Sequence, residues 1–110
     1  MCAQYSAVRK FTRYSIDVRA KLGVGGREFT VRTLDISEGG VGLLSPSELP
    51  AWEGPITIEF VFPTMQDVFH AELEAQSRSG FRFGFKFVGL DEKNMALLRK
   101  FERRWGIRAE

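Results

Sequence analysis

The stretch Gly80–Phe87 reads GFRFGFKF, with a phenylalanine at every second position from Phe81 onward. A period of two places the four phenylalanines on one face of a β-strand and the residues between them on the other face. Large aromatic side chains in one row bury a large apolar area when they pack together. The stretch therefore predicts a strand whose phenylalanine face lies in the core of a β-protein.

Five further segments alternate between apolar and polar residues in the same way, at residues 14–22, 27–34, 41–44, 56–62 and 69–75. The glycine-rich run Gly23–Gly26 and the pair Ser79-Gly80 predict turns, and Ser45–Gly54, which carries two prolines, predicts a loop. Pro63 ends the strand before it, because proline cannot donate to a sheet. Six short strands separated by turn signals predict a small closed or nearly closed barrel.

The period of the sequence changes near residue 90. Asp91 is suited to cap the start of a helix, and Asn94 stands three residues later. Apolar residues then recur at helical spacing, at Met95, Leu98, Phe101 and Trp105, with Leu97 beside them. We expect a helix over about residues 91–105. Its late cations, between residues 99 and 104, suit the negative end of a helix and are expected to form a solvated face.

Composition limits the classes of protein that the chain can represent. A length of 110 residues suits one domain, and 44% hydrophobic with 27% charged residues is typical of a globular protein. The net charge of +2 is too small to indicate a protein that binds nucleic-acid polymers. The single cysteine, Cys2, cannot form an internal disulfide, and no apolar run approaches the roughly 18 residues of a membrane span. We expect a cytoplasmic protein without membrane insertion.

Two short motifs stand apart from this pattern. Arg9 and Arg13 fit R-x-x-x-R, within a polar and basic segment, residues 1–13, that we expect to be a flexible arm. Three further arginine pairs have the same spacing, so this motif alone is not selective. Asp35, Ser37 and Gly40 fit D-x-S-x-x-G, which a chain of this length should contain in roughly 0.03 copies by chance. The two motifs together are specific.

With the strand before Pro63, the GFRFGFKF stretch and the C-terminal helix, these motifs resemble the PilZ domain family over nearly the whole chain. The resemblance implies a mainly β fold, a six-stranded antiparallel barrel over residues 14–110 with a C-terminal α-helix. It also implies that cyclic di-GMP binds where the arm meets the barrel. By motif position, the contacts to this ligand would come from Arg9, Arg13, Asp35, Ser37 and Gly40, with Val8, Lys10 and Gly39 as additional candidates.

The residue types suit such a ligand. Guanine presents O6 and N7 as adjacent acceptors, which an arginine matches with two parallel hydrogen bonds. A carboxylate at Asp35 can accept from the N1–H and N2–H₂ donors of guanine, and Ser37 can bond either ligand or turn backbone. Gly40 would either adopt a positive φ or let the ligand approach the backbone closely. Val8 stands where many family members have another arginine, so binding of one ligand or of a stacked pair stays open.

The function expected from these features is that of a receptor rather than an enzyme. The sequence shows no metal cluster, no nucleophile–base pair and no phosphate-binding loop before a helix, and His70 reads as an exposed strand residue. No cofactor is expected. The receptor would be a monomer or weak dimer that orders its arm on binding and acts on an unidentified effector protein, for instance in motility or biofilm regulation.

Two alternatives stay open at this point. The first is an interaction domain of the same fold that works without nucleotide in pilus or motility machinery. The second is a small barrel that binds single-stranded nucleic acid, which requires aromatic side chains on an exposed strand face. Burial of the strand phenylalanines would argue against the second alternative.

Overall fold

The computed structural model describes residues 11–46, 49 and 55–108. These residues form eight strands and one helix, since short alternating segments are separated by glycine-rich turns. The elements in chain order are β1 (Tyr14–Ser15), β2 (Arg19–Val24), β3 (Arg27–Ile36), β4 (Gly40–Leu44), β5 (Ile56–Val61), β6 (Val68–Ser79), β7 (Arg82–Phe87), α1 (Glu92–Arg104) and β8 (Ile107–Arg108).

Six of these strands close into an antiparallel barrel. The strands pair in the order β2-β5-β6-β7-β4-β3, and β2 also pairs with β3, which leaves no free edge in the ring. The short strands β1 and β8 extend the sheet beyond the end of β3, through antiparallel pairing of β1 with both β3 and β8. The predicted fold class, a six-stranded antiparallel barrel with a C-terminal helix, is confirmed.

The barrel interior holds the apolar face of each strand. On β7 the side chains of Phe83, Phe85 and Phe87 are buried. Phe81 was expected in the same row, and that prediction is wrong, because its side chain is 58% exposed. Ser79 pairs directly with Arg82, so the two-residue turn is Gly80-Phe81 and the strand begins one residue later than the phenylalanine repeat.

The first predicted strand is divided in two. Residues 16–18 separate β1 from β2. The hydroxyl of Thr33 on β3 supplies part of the hydrogen bonding to these residues. It accepts from the backbone N–H of Val18 at 2.9 Å and lies 3.2 Å from the carbonyl oxygen of Ile16, to which it donates. On both sides of the break, the residues that face the core are those that the alternation of residues 14–22 predicts. The following turn is confined to Gly25 and Gly26, which both have positive φ.

The helix α1 begins as expected at Asp91. The Asp91 carboxylate accepts from the backbone N–H and from the side-chain Nδ2 of Asn94, both at 2.8 Å, and these hydrogen bonds lower the pKa of Asp91. The Oδ1 atom of Asn94 in turn accepts from the backbone N–H of His70 at 2.8 Å. Since β7 pairs with β6 only from Leu73 onward, Asn94 satisfies an N–H on the part of β6 that β7 does not reach.

Apolar packing fixes the same helix to the barrel. Leu98 and Phe101 are buried, and the Phe101 ring stacks on Phe62 with centroids 4.8 Å apart. Trp105 was expected to continue this face, but its side chain is 47% exposed because α1 ends at Arg104. His70 is exposed, as predicted. No helix among the residues described has the length and apolar character that a bilayer crossing requires.

Candidate functional site

Ser37 and the two glycines that follow it form the tight turn from β3 into β4. The backbone N–H of Ser37 donates to the carbonyl oxygen of Gly40 at 2.9 Å. The Ser37 hydroxyl oxygen accepts from the backbone N–H groups of Gly39 and Gly40 at 3.1 and 3.2 Å. Ser37 is only 4% exposed. The hydroxyl therefore holds the turn itself, which is the second of the two uses expected for it.

The turn lies directly against β7 because residue 40 has no side chain. An ideal Cβ at Gly40 would lie 2.1 Å from the carbonyl oxygen of Phe85 and 3.2 Å from the Cα atom of Lys86. The φ of Gly40 is not positive. The close approach that requires glycine is thus the approach of the β7 backbone, a contact that the sequence could not reveal.

Arg13 and Asp35, one from each motif, lie in direct contact although they are 22 positions apart in the chain. The Nη2 atom of Arg13 donates to Oδ1 of Asp35 at 2.5 Å. The two side chains are 29% and 22% exposed, so each keeps polar atoms that solvent or a ligand can reach. An ion pair at this degree of exposure contributes at most about 1 kcal/mol to folding. Its components are therefore available for another partner at small cost.

The pairing depends on the register of β3. Asp35 is a strand residue, opposite Ser15 on β1 and Gly42 on β4, because β3 extends to Ile36 rather than ending at Leu34 as expected. A register shift between Thr33 and Asp35 turns the carboxylate toward the outer face of the barrel. Gly42 leaves room for it, since an ideal Cβ there would lie 2.7 Å from Asp35 Oδ1.

Two hollows on the outer surface meet at Arg13. The first, of about 410 Å³, is the turn hollow, and its walls come from Phe11, Arg13, Ser37, Gly39, Gly40, Gln76, Phe85 and Lys86. The second, of about 270 Å³, is the strand hollow, and its walls come from Arg13, Leu34, Asp35, Gly42, Ser77, Ser79, Arg82, Phe83 and Gly84. Both are open depressions, and the turn hollow has the volume of a small-molecule site. Arg13 is the residue that lines both hollows.

Several residues of this region were not predicted from the sequence. Gln76 lies where the β6–β7 register shifts between Ala75 and Ser77, and an irregularity of this kind has no signature in the alternation of β6. The Phe11 ring lies against Gly39, 2.8 Å from an ideal Cβ at that position. Arg82 and Lys86 alternate with the buried phenylalanines of β7, so their outward direction was implied by the repeat, although their place beside the motifs was not.

Three of the candidate residues cannot be placed. Val8, Arg9 and Lys10 lie outside the described residues, so the structure neither joins them to Arg13 nor separates them from it. The described residues of the predicted arm are Phe11, Thr12 and Arg13, and Phe11 and Arg13 line the turn hollow.

The late helix cations were expected to be solvated, and one of them reaches the motif turn. The Nε atom of Arg99 lies 3.4 Å from Oε2 of Glu38, the residue between Ser37 and Gly39. Nearby, burial raises the pKa of Glu102; the charge of Glu38 raises it further, and the charge of Arg99 opposes both effects. Among the described residues, no group of three or more histidine, cysteine, aspartate or glutamate side chains is arranged to hold a metal ion.

Comparisons with known proteins agree with this architecture. The family model of the PilZ domain matches residues 7–103. A search of curated protein sequences found no match. Among solved structures, the inhibitor of motility MotI/DgrA of Bacillus subtilis has a TM-score of 0.64 at 18% identity, over 87% of this chain and 50% of that one.

Two further solved structures were determined with a nucleotide. The PilZ domain of YcgR from Escherichia coli with c-di-GMP has a TM-score of 0.56 at 19% identity, over 88% of this chain and 96% of that one. The PlzA protein of Borreliella burgdorferi in complex with c-di-GMP has a TM-score of 0.65 at 17% identity, over 91% of this chain and 43% of that one. The chain thus spans half of MotI/DgrA and less than half of PlzA, and identities this low establish the fold alone.

Proposed function

The chain belongs to the PilZ domain family, and we propose from this premise that it is a non-enzymatic receptor for cyclic di-GMP. The observation that carries the proposal is the contact between Arg13 and Asp35 on the outer face of the barrel, beside the turn held by Ser37. This contact joins one residue of each motif. The YcgR domain and PlzA, which share the fold, were both solved with this nucleotide.

The chemistry of the pair matches the edges of guanine. Guanine offers two acceptors, O6 and N7, on one edge and the N1–H and N2–H₂ donors on another. Arg13 supplies donors and Asp35 supplies acceptors, so a guanine base can replace their mutual hydrogen bond with bonds to both. The charge of Arg13 also suits a phosphodiester. Since both side chains are partly exposed, the exchange requires no opening of the core.

The arm before β1 is the proposed moving part. Arg9 belongs to the same motif as Arg13 and would add a second guanidinium to the ligand, with Val8 and Lys10 as neighbouring contacts. Binding would order residues 1–13 over the barrel and create a surface that an effector protein recognises. Ser37, Gly39 and Gly40 would form the rigid side of the site. We place this receptor in the cytoplasm, in the control of motility or biofilm formation.

Titration calorimetry with cyclic di-GMP on the full chain tests the site. Arg13→Ala and Asp35→Ala should each weaken binding tenfold or more, which corresponds to a loss of about 1.4 kcal/mol or more. Both variants should stay folded, because the ion pair is partly solvated.

A matched control exists on the same barrel. Arg32 and Asp17 form another exposed ion pair, with Nε and Oδ1 2.8 Å apart, and neither residue lines the two hollows that meet at Arg13. Arg32→Ala and Asp17→Ala should leave the affinity within twofold of the unaltered protein. Unchanged affinity in Arg13→Ala and Asp35→Ala would refute the site, and no binding by the unaltered protein would refute the function and favour an interaction domain without nucleotide.

A further inference from the structure

The floor of the strand hollow includes a pair of glycines, which we call the glycine floor. Gly42 on β4 and Gly84 on β7 are direct partners in the ladder, and both belong to the strand hollow. An ideal Cβ at Gly84 would lie 2.5 Å from the hydroxyl oxygen of Ser77. The polar side chains of neighbouring strands thus border the space above these glycines. Asp35 occupies this space over Gly42, which is buried, so a ligand in the strand hollow would meet these polar side chains.

Two cations flank this floor on the same strand. Arg82 and Lys86 stand two residues before and two residues after Gly84, so alternation directs both side chains outward. Arg82 lines the strand hollow, and Lys86 lines the turn hollow. Four residues of a strand span about 13 Å. Arg13 lines both hollows.

The charges of the region favour an anionic ligand. Arg13 has Asp35 as its partner, whereas Arg82 and Lys86 form no ion pair within the part of the chain that the structure describes. Both are exposed, and Asp35 is the one carboxylate that lines either hollow. Three cations and one carboxylate line the two hollows, and Glu74, opposite Lys86 on β6, offsets part of the remaining positive charge.

We propose that Arg82 and Lys86 are ligand-binding residues that contact the phosphodiester groups of the cyclic dinucleotide, one at each end of the glycine floor. The assignment rests on the proposed function, and it adds residues that neither motif contains. Arg13 and Asp35 read the base at the middle of the region, while the two β7 cations hold the backbone of the ligand.

Calorimetric titration of cyclic di-GMP at two salt concentrations tests this assignment. Arg82→Gln and Lys86→Gln should each weaken binding threefold to tenfold and make the affinity less sensitive to salt, because each removes one phosphate contact. Arg19→Gln and Lys21→Gln, which remove the same charge from the exposed face of β2, should stay within twofold. Thermal unfolding of each variant confirms that the barrel is intact.

The outcomes separate this proposal from the one on which it depends. If the unaltered protein binds, Arg13→Ala loses binding and both β7 variants bind like the unaltered protein, the β7 assignment is overturned and the receptor function stands. If the β2 controls lose as much affinity as the β7 variants, the effect comes from net charge and the assignment is also overturned. An unaltered protein that does not bind cyclic di-GMP overturns both proposals.

Discussion

Replacement of Gly40 by alanine should destabilise the barrel severely, because no flexible group can move aside for the new methyl. The added Cβ would lie 2.1 Å from the carbonyl oxygen of Phe85, whereas an ordinary contact starts at 3.4 Å. The two strands must therefore separate locally by about 1 Å, against a normal spacing of about 4.8 Å. Overpacking of this kind costs about 1–3 kcal/mol.

Hydrogen bonds at the same place add to that cost. The N–H of Phe87 donates to the carbonyl oxygen of Gly39 at 3.0 Å, and the N–H of Ser37 donates to that of Gly40 at 2.9 Å. Each contributes about 1 kcal/mol when intact. With one of the two weakened, we expect Gly40→Ala to lower the free energy of unfolding by about 2–4 kcal/mol, a large share of the 5–15 kcal/mol typical of a domain.

Urea unfolding followed by circular dichroism measures this change. The midpoint should fall by about 1–2 M while the slope with denaturant stays constant. Gly39→Ala is the matched control, because its Cβ would clash only with the ring of Phe11, which is 41% exposed and can rotate away, and would make an ordinary 3.7 Å contact with the Ser37 hydroxyl. The control should cost under about 1 kcal/mol. A Gly40→Ala protein as stable as the unaltered one, or a control equally destabilised, would refute the argument from strand contact.

Three further changes test other parts of the fold by the same unfolding measurement. Phe83→Ala should cost about 3–5 kcal/mol because the ring is buried, whereas Phe81→Ala should cost under about 0.5 kcal/mol; equal costs would contradict the turn at Gly80-Phe81. Asn94→Ala should cost about 1–3 kcal/mol, since it removes the acceptor of the His70 N–H and a donor to Asp91; no loss would show that water replaces the amide fully. The stability of the Glu102→Gln variant, relative to that of the unaltered protein, should increase as the pH rises from 4 to 7. The raised pKa of Glu102 means that its contribution to stability is complete below the ordinary value of 4.5 and is lost as the pH rises through the folded value, so a pH-independent difference would contradict it.

The strands were predictable where a single face decides burial. The alternation of β5, β6 and β7 depends only on which side chains enter the core, and Phe60, Phe69 and Phe85 are buried as the period of two requires. The start of α1 was predictable for a similar reason, because the Asp91 cap uses only residues within one turn of the helix.

The departures arise where a distant residue sets the local structure. Thr33 interrupts the first strand through hydrogen bonds to residues at least fifteen positions earlier, and nothing in residues 14–22 announces the break. The register shift on β6 that brings Gln76 into the turn hollow depends equally on the partner strand. Phe81 continues a sequence repeat but not the strand, since the repeat carries no information about where the hairpin turns.

The candidate site was half predictable. The motifs name Arg13 and Asp35, and the structure brings these two together as a shared site requires. The place of Arg82 and Lys86 beside the motif residues could not be inferred beforehand, because it follows from the pairing of β4 with β7. Ser37 was assigned two uses by its chemistry alone, and only its hydrogen bonds to Gly39 and Gly40 distinguish them.

The amide of Asn94 has a consequence for the behaviour of the molecule among copies of itself. By accepting from the His70 N–H, the amide supplies a hydrogen bond that a neighbouring strand would otherwise make to β6. A cut before residue 91, or a partner that pulls α1 away, would uncover the His70 N–H, a backbone donor with which an extended peptide can pair. The C-terminal helix therefore protects the barrel against sheet-to-sheet aggregation. We expect the first effect of removing it to be a lower solubility of the protein.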